Sequence, residues 1–323
     1  MRIAVAAAAL AAIASTVGLP LVSEAQQAYP TRQVTLVVPF PAGSTTDNVA
    51  RKFAEFMRAA TNVPVIVDNR VGADGNVAAQ TVLREPPAGY VVFFTGNSVH
   101  GANANVHKDM PFDPINDFAM VGGVMTLPMV LTVRPDFPAS NAKEFVAEAN
   151  KRKKPLFFAT GNMSTRGAAE LFKARFGIQM EHVPYRGSPQ VVADLIGGQF
   201  DCAFIDANTV RAFLREGRLK GLAITSDKRL ATLPNIPTVA EDLPGFEMGA
   251  WVGVVVRSQT PPEVVAKLSS LVQSFAKDAG TIKYLESINS TPLQLNAQQL
   301  KTFVEEETKK WAEIVKVANI KQI

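Results

Sequence analysis

The chain has 323 residues, which is enough for two domains of ordinary size and too many for a single small module. Hydrophobic residues make up 47% of it and charged residues 19%, a globular composition that excludes extended disorder. The net charge is +4, and basic and acidic residues are interspersed along the chain. No nucleic-acid-binding module is present, so the mild positive charge predicts a small anionic ligand and no nucleic-acid partner.

The N-terminus carries the pattern of a secretory signal peptide. Arg2 precedes an apolar, alanine-rich run over residues 3–21, and Ser23-Glu24-Ala25 has small residues at both ends of a cleavage motif. The alternative is a membrane anchor, but Gly18 and Pro20 interrupt the run. We therefore predict a signal peptide over residues 1–25 and a mature protein that is soluble in the periplasm.

Short β-branched runs alternate with longer helical patterns from residue 30 onward, which is typical of an α/β protein with mainly parallel sheets. The predicted strands are 34–38, 63–67, 90–95, 129–133, 156–159, 181–183, 200–205, 222–225 and 251–256. The predicted helices are about 48–61, one ending at 84, 142–151, 168–176, one ending at 196, 209–216, 262–277 and 297–317.

The order of these elements predicts two lobes rather than one continuous domain. We infer that residues 26–126 and 252–323 form lobe 1 and that residues 127–251 form lobe 2. The chain would then cross between the lobes near Leu127 and again near Val252. Because no low-complexity linker is present, these two strand crossovers would form a hinge.

The first loop with the composition of an anion-binding site covers residues 41–47, between a predicted strand and a predicted helix. Gly43 permits close approach of the backbone, and the hydroxyls of Ser44 and Thr45 adjoin the exposed N–H groups of a helix start. Such residues are also ordinary helix caps, so the loop alone leaves both interpretations open.

A second loop, residues 161–167, has the same design. It adds Arg166, whose guanidinium could bind a carboxylate through two hydrogen bonds or could lie at the surface of a helix start. Ligands of open α/β sheets bind beyond the carboxyl ends of strands. The two loops are therefore predicted to face each other across one cleft.

No motif in the sequence predicts catalysis or a cofactor. The P-loop, the dinucleotide fingerprint and the G-x-S-x-G motif are absent, and His100, His107 and His182 lack the spacing of metal ligands. We predict a protein that is not an enzyme and that carries no metal or cofactor. The rival interpretation is a secreted hydrolase or lyase with a Ser or Thr near His100, but no nucleophile–base–orienter pattern supports it.

Short motifs that recur in one family are distributed along the whole predicted mature chain. They are Tyr29-Pro30, Val37-Val38-Pro39-Phe40-Pro41 with Gly43 and Asp47, Val67-Asp68-Asn69-Arg70 with Gly72, Gly75 and Asn76, Pro87-Ala88-Gly89-Tyr90, Pro111-Phe112-Asp113-Pro114, His182-Val183-Pro184-Tyr185-Arg186-Gly187, Gly197-Gly198-Gln199 with Asp201, Ala223-Ile224-Thr225-Ser226, and Pro244-Gly245-Phe246-Glu247 with Trp251. On these motifs the sequence resembles the substrate-binding proteins of tripartite tricarboxylate transporters, the Bug family.

This resemblance implies a type II-like Venus-flytrap fold of periplasmic binding proteins, with a cleft between two α/β domains joined by two crossovers. A ligand carboxylate would be held by the two loops, by a third segment at the cleft edge and by one strand end. Carried over to this sequence, and with Arg166 added from the loop composition, the predicted ligand-binding residues are Pro41, Ala42, Gly43, Ser44, Thr45, Asp47, Asn97, Ser98, His100, Gly161, Asn162, Ser164, Thr165, Arg166 and Asp206.

The sequence departs from the family at both loops. Gly43 and Ser44 stand where the family commonly has two glycines, and the second loop lacks a frequent histidine. That loop also aligns in two registers one residue apart, which leaves residues 163–167 without a fixed assignment. The ligand can therefore differ from the commonest ones of the family.

The predicted function is that of a periplasmic receptor, acting as a monomer, that captures a small organic acid and delivers it to the membrane subunits of a tripartite tricarboxylate-type transporter. A sensory subunit for a membrane signalling protein would use the same closed, liganded form, so this alternative stays open. Aromatic and aliphatic dicarboxylates, tricarboxylates, acidic amino acids and nicotinate-like acids all stay open as ligands.

Overall fold

The computed structural model of the chain describes residues 29–322. The predicted signal peptide, residues 1–25, lies outside the described residues. Between residues 29 and 322, no helix is both long and apolar enough to cross a bilayer.

Strands and helices alternate along this part of the chain. The strands are β1 (Val34–Val38), β2 (Val65–Asn69), β3 (Val91–Gly96), β4 (Phe118–Val133), β5 (Leu156–Thr160), β6 (Met180–Pro184), β7 (Cys202–Asp206), β8 (Lys220–Ile224), β9 (Gly249–Arg257) and β10 (Thr291–Pro292). The helices are α1 (Thr45–Thr61), α2 (Asn76–Arg84), α3 (Asn103–Val106), α4 (Ala142–Lys151), α5 (Met163–Phe176), α6 (Ser188–Ile196), α7 (Ala207–Arg215), α8 (Val239–Asp242), α9 (Pro262–Lys277), α10 (Ala279–Ser287) and α11 (Ala297–Val317), with a 3₁₀ turn at Ala73–Gly75 and a π-helical turn at Ser98–Ala102.

Strand β4 belongs to two groups of paired strands. Residues 118–128 pair antiparallel with β9, whereas residues 129–133 pair with β7 and β8. The strand order is β2-β1-β3-β9-β4-β7-β5-β6, with β8 and β10 also beside β4. Strand pairing therefore defines lobe 1, which contains β1, β2, β3, β9 and β10, and lobe 2, which contains β5, β6, β7 and β8.

The chain passes from lobe 1 to lobe 2 within β4 and returns at the start of β9. These two crossover strands are paired with each other, because Leu127 lies opposite Ala250 and Pro128 lies opposite Gly249. Helix α11 contacts both β4 and α5, so it bridges the two lobes beside the crossovers.

The central strands of the sheet in each lobe are buried on both faces. In β1, Leu36 and Val38 pack into one apolar cluster with residues of α1 and α9, while Val37 points to the other face and packs with residues of α2 and α11. In lobe 2, Phe158 and Ala159 of β5 likewise belong to clusters on opposite faces. Burial of one such large apolar side chain contributes about 1.5–3 kcal/mol, and burial on both faces is what parallel strands between helices require.

The α/β fold predicted from the sequence is confirmed by the element order. Helices α4, α9 and α11 begin and end at the predicted residues. Helices α1 and α5 begin earlier than predicted, because Ser44 and Asn162 are their N-caps. The residues that the sequence pattern assigns to loops therefore form the first helical turns.

Candidate functional site

Four helices begin at one small cavity between the lobes, called the deep cavity here. Its volume is about 50 Å³, several times the space that one water requires. First-turn or cap residues of α1, α5, α6 and α7 line it together with the crossover strands. These polar lining residues are Ser44, Thr45, Thr46, Asn162, Ser164, Thr165, Ser188, Asp206 and Thr209.

A larger cavity of about 760 Å³, the outer cavity, adjoins the deep cavity. The two share Phe40, Pro41, Asn162 and Gly187 in their walls, so they lie side by side between the lobes. Lobe 1 contributes residues 39–42, 71–75 and Ser98 to the outer cavity, and lobe 2 contributes Gly161, Asn162, residues 185–187, Pro189 and Gln190. This volume lies within the range of about 300–1,000 Å³ that is typical of small-molecule sites.

The loop before α1 is held by Asp47, which is 1% exposed. Its Oδ2 accepts hydrogen bonds from the Gly43 N–H at 2.9 Å and from Arg51 Nε at 3.0 Å, and its Oδ1 accepts one from Asn69 Nδ2 at 2.9 Å. Burial would raise the pKa of Asp47, but these hydrogen bonds outweigh it and hold the pKa below its usual range. The charged carboxylate therefore fixes the loop from inside lobe 1.

Thr45 connects the two lobes across the deep cavity. Its Oγ1 donates a hydrogen bond of 2.8 Å to Asp206 Oδ1 and accepts one of 3.1 Å from Asn208 Nδ2. Asp206 also accepts hydrogen bonds from the N–H and the hydroxyl of Thr209. The carboxylate at the end of β7 is therefore surrounded by donors, and the lobes are in contact at this point.

The loop before α5 is stabilised by a reciprocal capping arrangement. Asn162 Oδ1 accepts a hydrogen bond of 3.0 Å from the Thr165 N–H, and Thr165 Oγ1 accepts one of 3.3 Å from the Asn162 N–H. The Thr165 hydroxyl also donates to the Asn162 carbonyl. Ser164 is 5% exposed and lines the deep cavity. The caps therefore occupy the N–H groups of Asn162 and Thr165, and they leave those of Met163 and Ser164 without an acceptor in their own helix.

The structure brings most of the predicted site residues together in the walls of the two cavities. Those that line a wall are Pro41, Ala42, Ser44, Thr45, Asn97, Ser98, Gly161, Asn162, Ser164, Thr165 and Asp206. Those that lie outside both walls are Gly43, Asp47, His100 and Arg166.

His100 is fully buried behind the cavity walls. Its Nδ1 lies 2.6 Å from Thr95 Oγ1, and its ring packs against the rings of Phe93 and Phe118. Burial lowers the pKa of His100 to about 3, so the imidazole is neutral. Its neighbours in the structure belong to the core of lobe 1.

Arg166 lies outside both cavity walls, with its Nε 4.0 Å from Glu170 Oε1. The positive charge of the guanidinium still acts on nearby groups. Burial is the largest cause that lowers the pKa of His182 to about 4, and the charge of Arg166 contributes to the same lowering. The structure therefore places this cation beside the cleft rather than in its wall.

Some cavity residues are missing from the sequence-based prediction. Thr46, Ser188, Thr209 and Trp251 line the deep cavity. The turn before α6, residues 184–188, has the same strand–loop–helix design as the two predicted loops and could have been found by that criterion. Trp251 carries no such signal, because its position depends on the pairing of β9 with β3 and β4.

Comparison with known proteins identifies similar chains over nearly the whole described length. The model of the family described as "Tripartite tricarboxylate transporter family receptor" matches residues 49–320. Protein BugT of Bordetella pertussis is 27% identical over 297 residues, which cover 91% of each chain.

Solved structures show the same fold. That of Rpa4515 of R. palustris with adipate has a TM-score of 0.88 and 32% sequence identity, and covers 91% of this chain and 100% of that chain. That of MatC (Rpa3494) from Rhodopseudomonas palustris with bound malate has a TM-score of 0.82 and 28% identity, and covers 89% of this chain and 100% of that chain.

Proposed function

Since this chain belongs to the tripartite tricarboxylate transporter family of receptors, we propose that it captures a small carboxylate-bearing organic anion in its cleft and delivers it to a membrane transporter of that type. The observation that carries this proposal is the meeting of four helix N-termini at the deep cavity. Two similar structures with adipate and with malate support a carboxylate as the ligand.

Capture of the anion follows from the properties of helix starts. First-turn N–H groups have no acceptor in their own helix, and the helix dipole places partial positive charge there. A carboxylate in the deep cavity exchanges its water shell for the first-turn N–H groups that the caps leave free and for the Ser164 hydroxyl, and it competes with Asp206 for the single proton of the Thr45 hydroxyl. Neutral donors from Thr45 and Thr209 hydrogen-bond the Asp206 carboxylate but do not cancel its charge, so the helix starts have to outweigh its repulsion of the ligand carboxylate.

We propose that the ligand carboxylate lies in the deep cavity and that the rest of the ligand lies in the outer cavity. Of the predicted residues, those proposed to contact the ligand are Pro41, Ala42, Ser44, Thr45, Asn97, Ser98, Gly161, Asn162, Ser164, Thr165 and Asp206. Gly43 and Asp47 hold the first loop, and His100 lies in the core of lobe 1.

Release and capture require the cleft to open. The lobes are joined by the crossover strands and by α11, and they meet at the Thr45–Asp206 hydrogen bond. We propose a hinge at the paired residues Leu127 and Ala250, with lobe boundaries near residues 127 and 252, in a monomer that is exported to the periplasm after removal of residues 1–25.

The test is a thermal-shift screen of organic acids on the purified protein from residue 26 onward, followed by calorimetric titration. At a concentration of about 100 times its Kd, a bound acid stabilises the folded state by about 2.7 kcal/mol, so the melting temperature should rise by several degrees. Small-angle scattering should show compaction, and the acid should be recovered chemically unchanged. If no carboxylate shifts the melting temperature, the proposal is wrong.

A further inference from the structure

Asp74 forms part of the lobe 1 wall of the outer cavity, in the 3₁₀ turn between β2 and α2. Both Ala73, with φ of 44°, and Asp74, with φ of 52°, have left-handed backbone conformations that favour glycine. The Asp74 carbonyl accepts a hydrogen bond of 3.1 Å from Asn103 Nδ2, which is itself 2.7 Å from Asn76 Oδ1. Buried amides therefore fix the direction of this turn.

The carboxylate of Asp74 has unused acceptor capacity. In residues 29–322 neither of its oxygens accepts a hydrogen bond from protein, and His107 Nε2 lies 3.8 Å from its Oδ2. Burial raises the pKa of Asp74, while His107 and Arg166 partly offset that effect. The side chain is 32% exposed, so its oxygens can accept hydrogen bonds from water or from a donor group of a ligand in the outer cavity.

We propose that Asp74 makes the outer cavity select acids whose far end carries a hydrogen-bond donor, above all an ammonium group, over simple dicarboxylates. This inference rests on the proposed function, because it takes the first carboxylate of the ligand to occupy the deep cavity. It also takes one elongated ligand to reach both cavities, which adjoin at the wall residues Phe40 and Pro41.

The charges around the outer cavity support this selectivity. A second carboxylate at the far end would face Asp74, and like charges repel most strongly where water is partly excluded. Arg186 also lines the outer cavity, from lobe 2, but its side chain is exposed, so water screens its charge more than that of Asp74. An ammonium group at the same place would form a charge-assisted hydrogen bond with Asp74.

The experiment is calorimetric titration with matched ligand pairs: succinate against 4-aminobutyrate, glutarate against 5-aminopentanoate, and adipate against 6-aminohexanoate. The unmodified protein should bind the better of the amino acids at least about tenfold more tightly than its dicarboxylate partner. Asp74→Asn should abolish this preference, and it should fold, because asparagine adopts the left-handed conformation readily. Asp136→Asn, at a carboxylate that is 75% exposed, is the matched control and should keep the preference.

The outcomes separate this inference from the proposed function. If the unmodified protein favours the dicarboxylates, if Asp74→Asn leaves the ratio unchanged, or if no member of the three pairs binds, the selectivity by Asp74 is wrong. The proposed function still stands in each case when another carboxylate binds in the thermal-shift screen. It fails only when no carboxylate binds at all.

Discussion

Asn97 of lobe 1 donates a hydrogen bond of 3.2 Å from its Nδ2 to Glu307 Oε2 of helix α11. The same side chain accepts a hydrogen bond of 2.6 Å from the Trp251 N–H and donates one of 3.3 Å to the Gly249 carbonyl. Asn97 therefore hydrogen-bonds the second crossover strand, β9, on both sides of Ala250. Glu307 in turn fixes the position of the Asn97 side chain. A residue on the C-terminal helix thus sets the position of one wall of the deep cavity.

Replacing Glu307 should weaken both the fold and anion binding. In Glu307→Ala the buried Asn97 amide loses the stronger of its two acceptors and keeps the Gly249 carbonyl, which should cost about 1–3 kcal/mol in the free energy of unfolding. Glu307→Gln keeps an acceptor oxygen and should lose less. Urea unfolding and calorimetric titration measure the two effects, and Glu306→Ala, on the exposed face of α11, is the control. Equal values for Glu307→Ala and Glu306→Ala would contradict the role of Glu307.

The hydroxyls of the deep cavity should contribute directly to binding. Thr45→Val keeps the shape of the side chain but removes its hydroxyl, and Ser164→Ala removes the hydroxyl from the α5 start. Loss of one hydrogen bond to a bound anion corresponds to about 1.5–3 kcal/mol, or about a tenfold to hundredfold rise in Kd. Titration of both variants, with Thr45→Ser as the conservative control, checks this. Unchanged affinity in both variants would show that the anion binds elsewhere.

Gly167 should be intolerant of any side chain. A Cβ at this position would overlap the ring of Trp311 on α11 and lie 2.9 Å from the Met248 methyl group. Gly167→Ala should therefore lower the free energy of unfolding by about 1–3 kcal/mol through overpacking. Gly280→Ala is the matched control, since that Cβ would meet only the end of the Asp278 side chain. A Gly167→Ala protein as stable as the control would mean that α11 can move away from α5 without cost.

Stability should fall in mildly acidic solution because of buried histidines. The pKa of His100 is about 3 in the folded state, and about 6.5 in an unfolded chain. The unfolded state therefore binds a proton that the folded state refuses, so stability is complete above about pH 6.5 and decreases as the pH falls towards 3. At pH 5 the decrease from His100 should be about 2 kcal/mol.

Unfolding by urea at pH 5 and pH 7.5 measures this dependence. His100→Gln retains a side-chain oxygen that can face Thr95 but does not titrate, so its stability should change less between the two pH values. His182, with a pKa of about 4 in the folded state, should add a smaller decrease because it is partly exposed. The same pH dependence in the unmodified protein and in His100→Gln would exclude His100 as its source.

The parts of the fold that the sequence predicts well are those with local signals. Asn141 and Asn296 are the N-caps of α4 and α11. Each side chain accepts a hydrogen bond from the backbone N–H three positions later. The loops of the candidate site were predicted from the same signal, because in each of them cap residues directly follow a predicted strand. Local chemistry thus locates both the elements and most of the cavity wall.

The parts that the sequence does not predict depend on distant pairing. Residues 118–128 of β4 form a strand only because β9 lies beside them, and two register shifts in that pairing remove any regular alternation. The contact between Asn97 and Glu307 joins residues 210 positions apart. Asp74 gives no local sign of its position in the outer cavity, because the opposite wall comes from lobe 2.

The position of β9 also imposes an order of assembly on the growing chain. Because β9 lies between β3 and β4, the sheet of lobe 1 stays in two separate pieces until residues 249–257 have been synthesised, after the whole of β5 to β8. Lobe 2 is made as one uninterrupted stretch, so its strands can pair while the edge of β3 is still open. Synthesis therefore completes lobe 1 after lobe 2, and the wall of the deep cavity is complete only once residues 250–252 of β9 have been made.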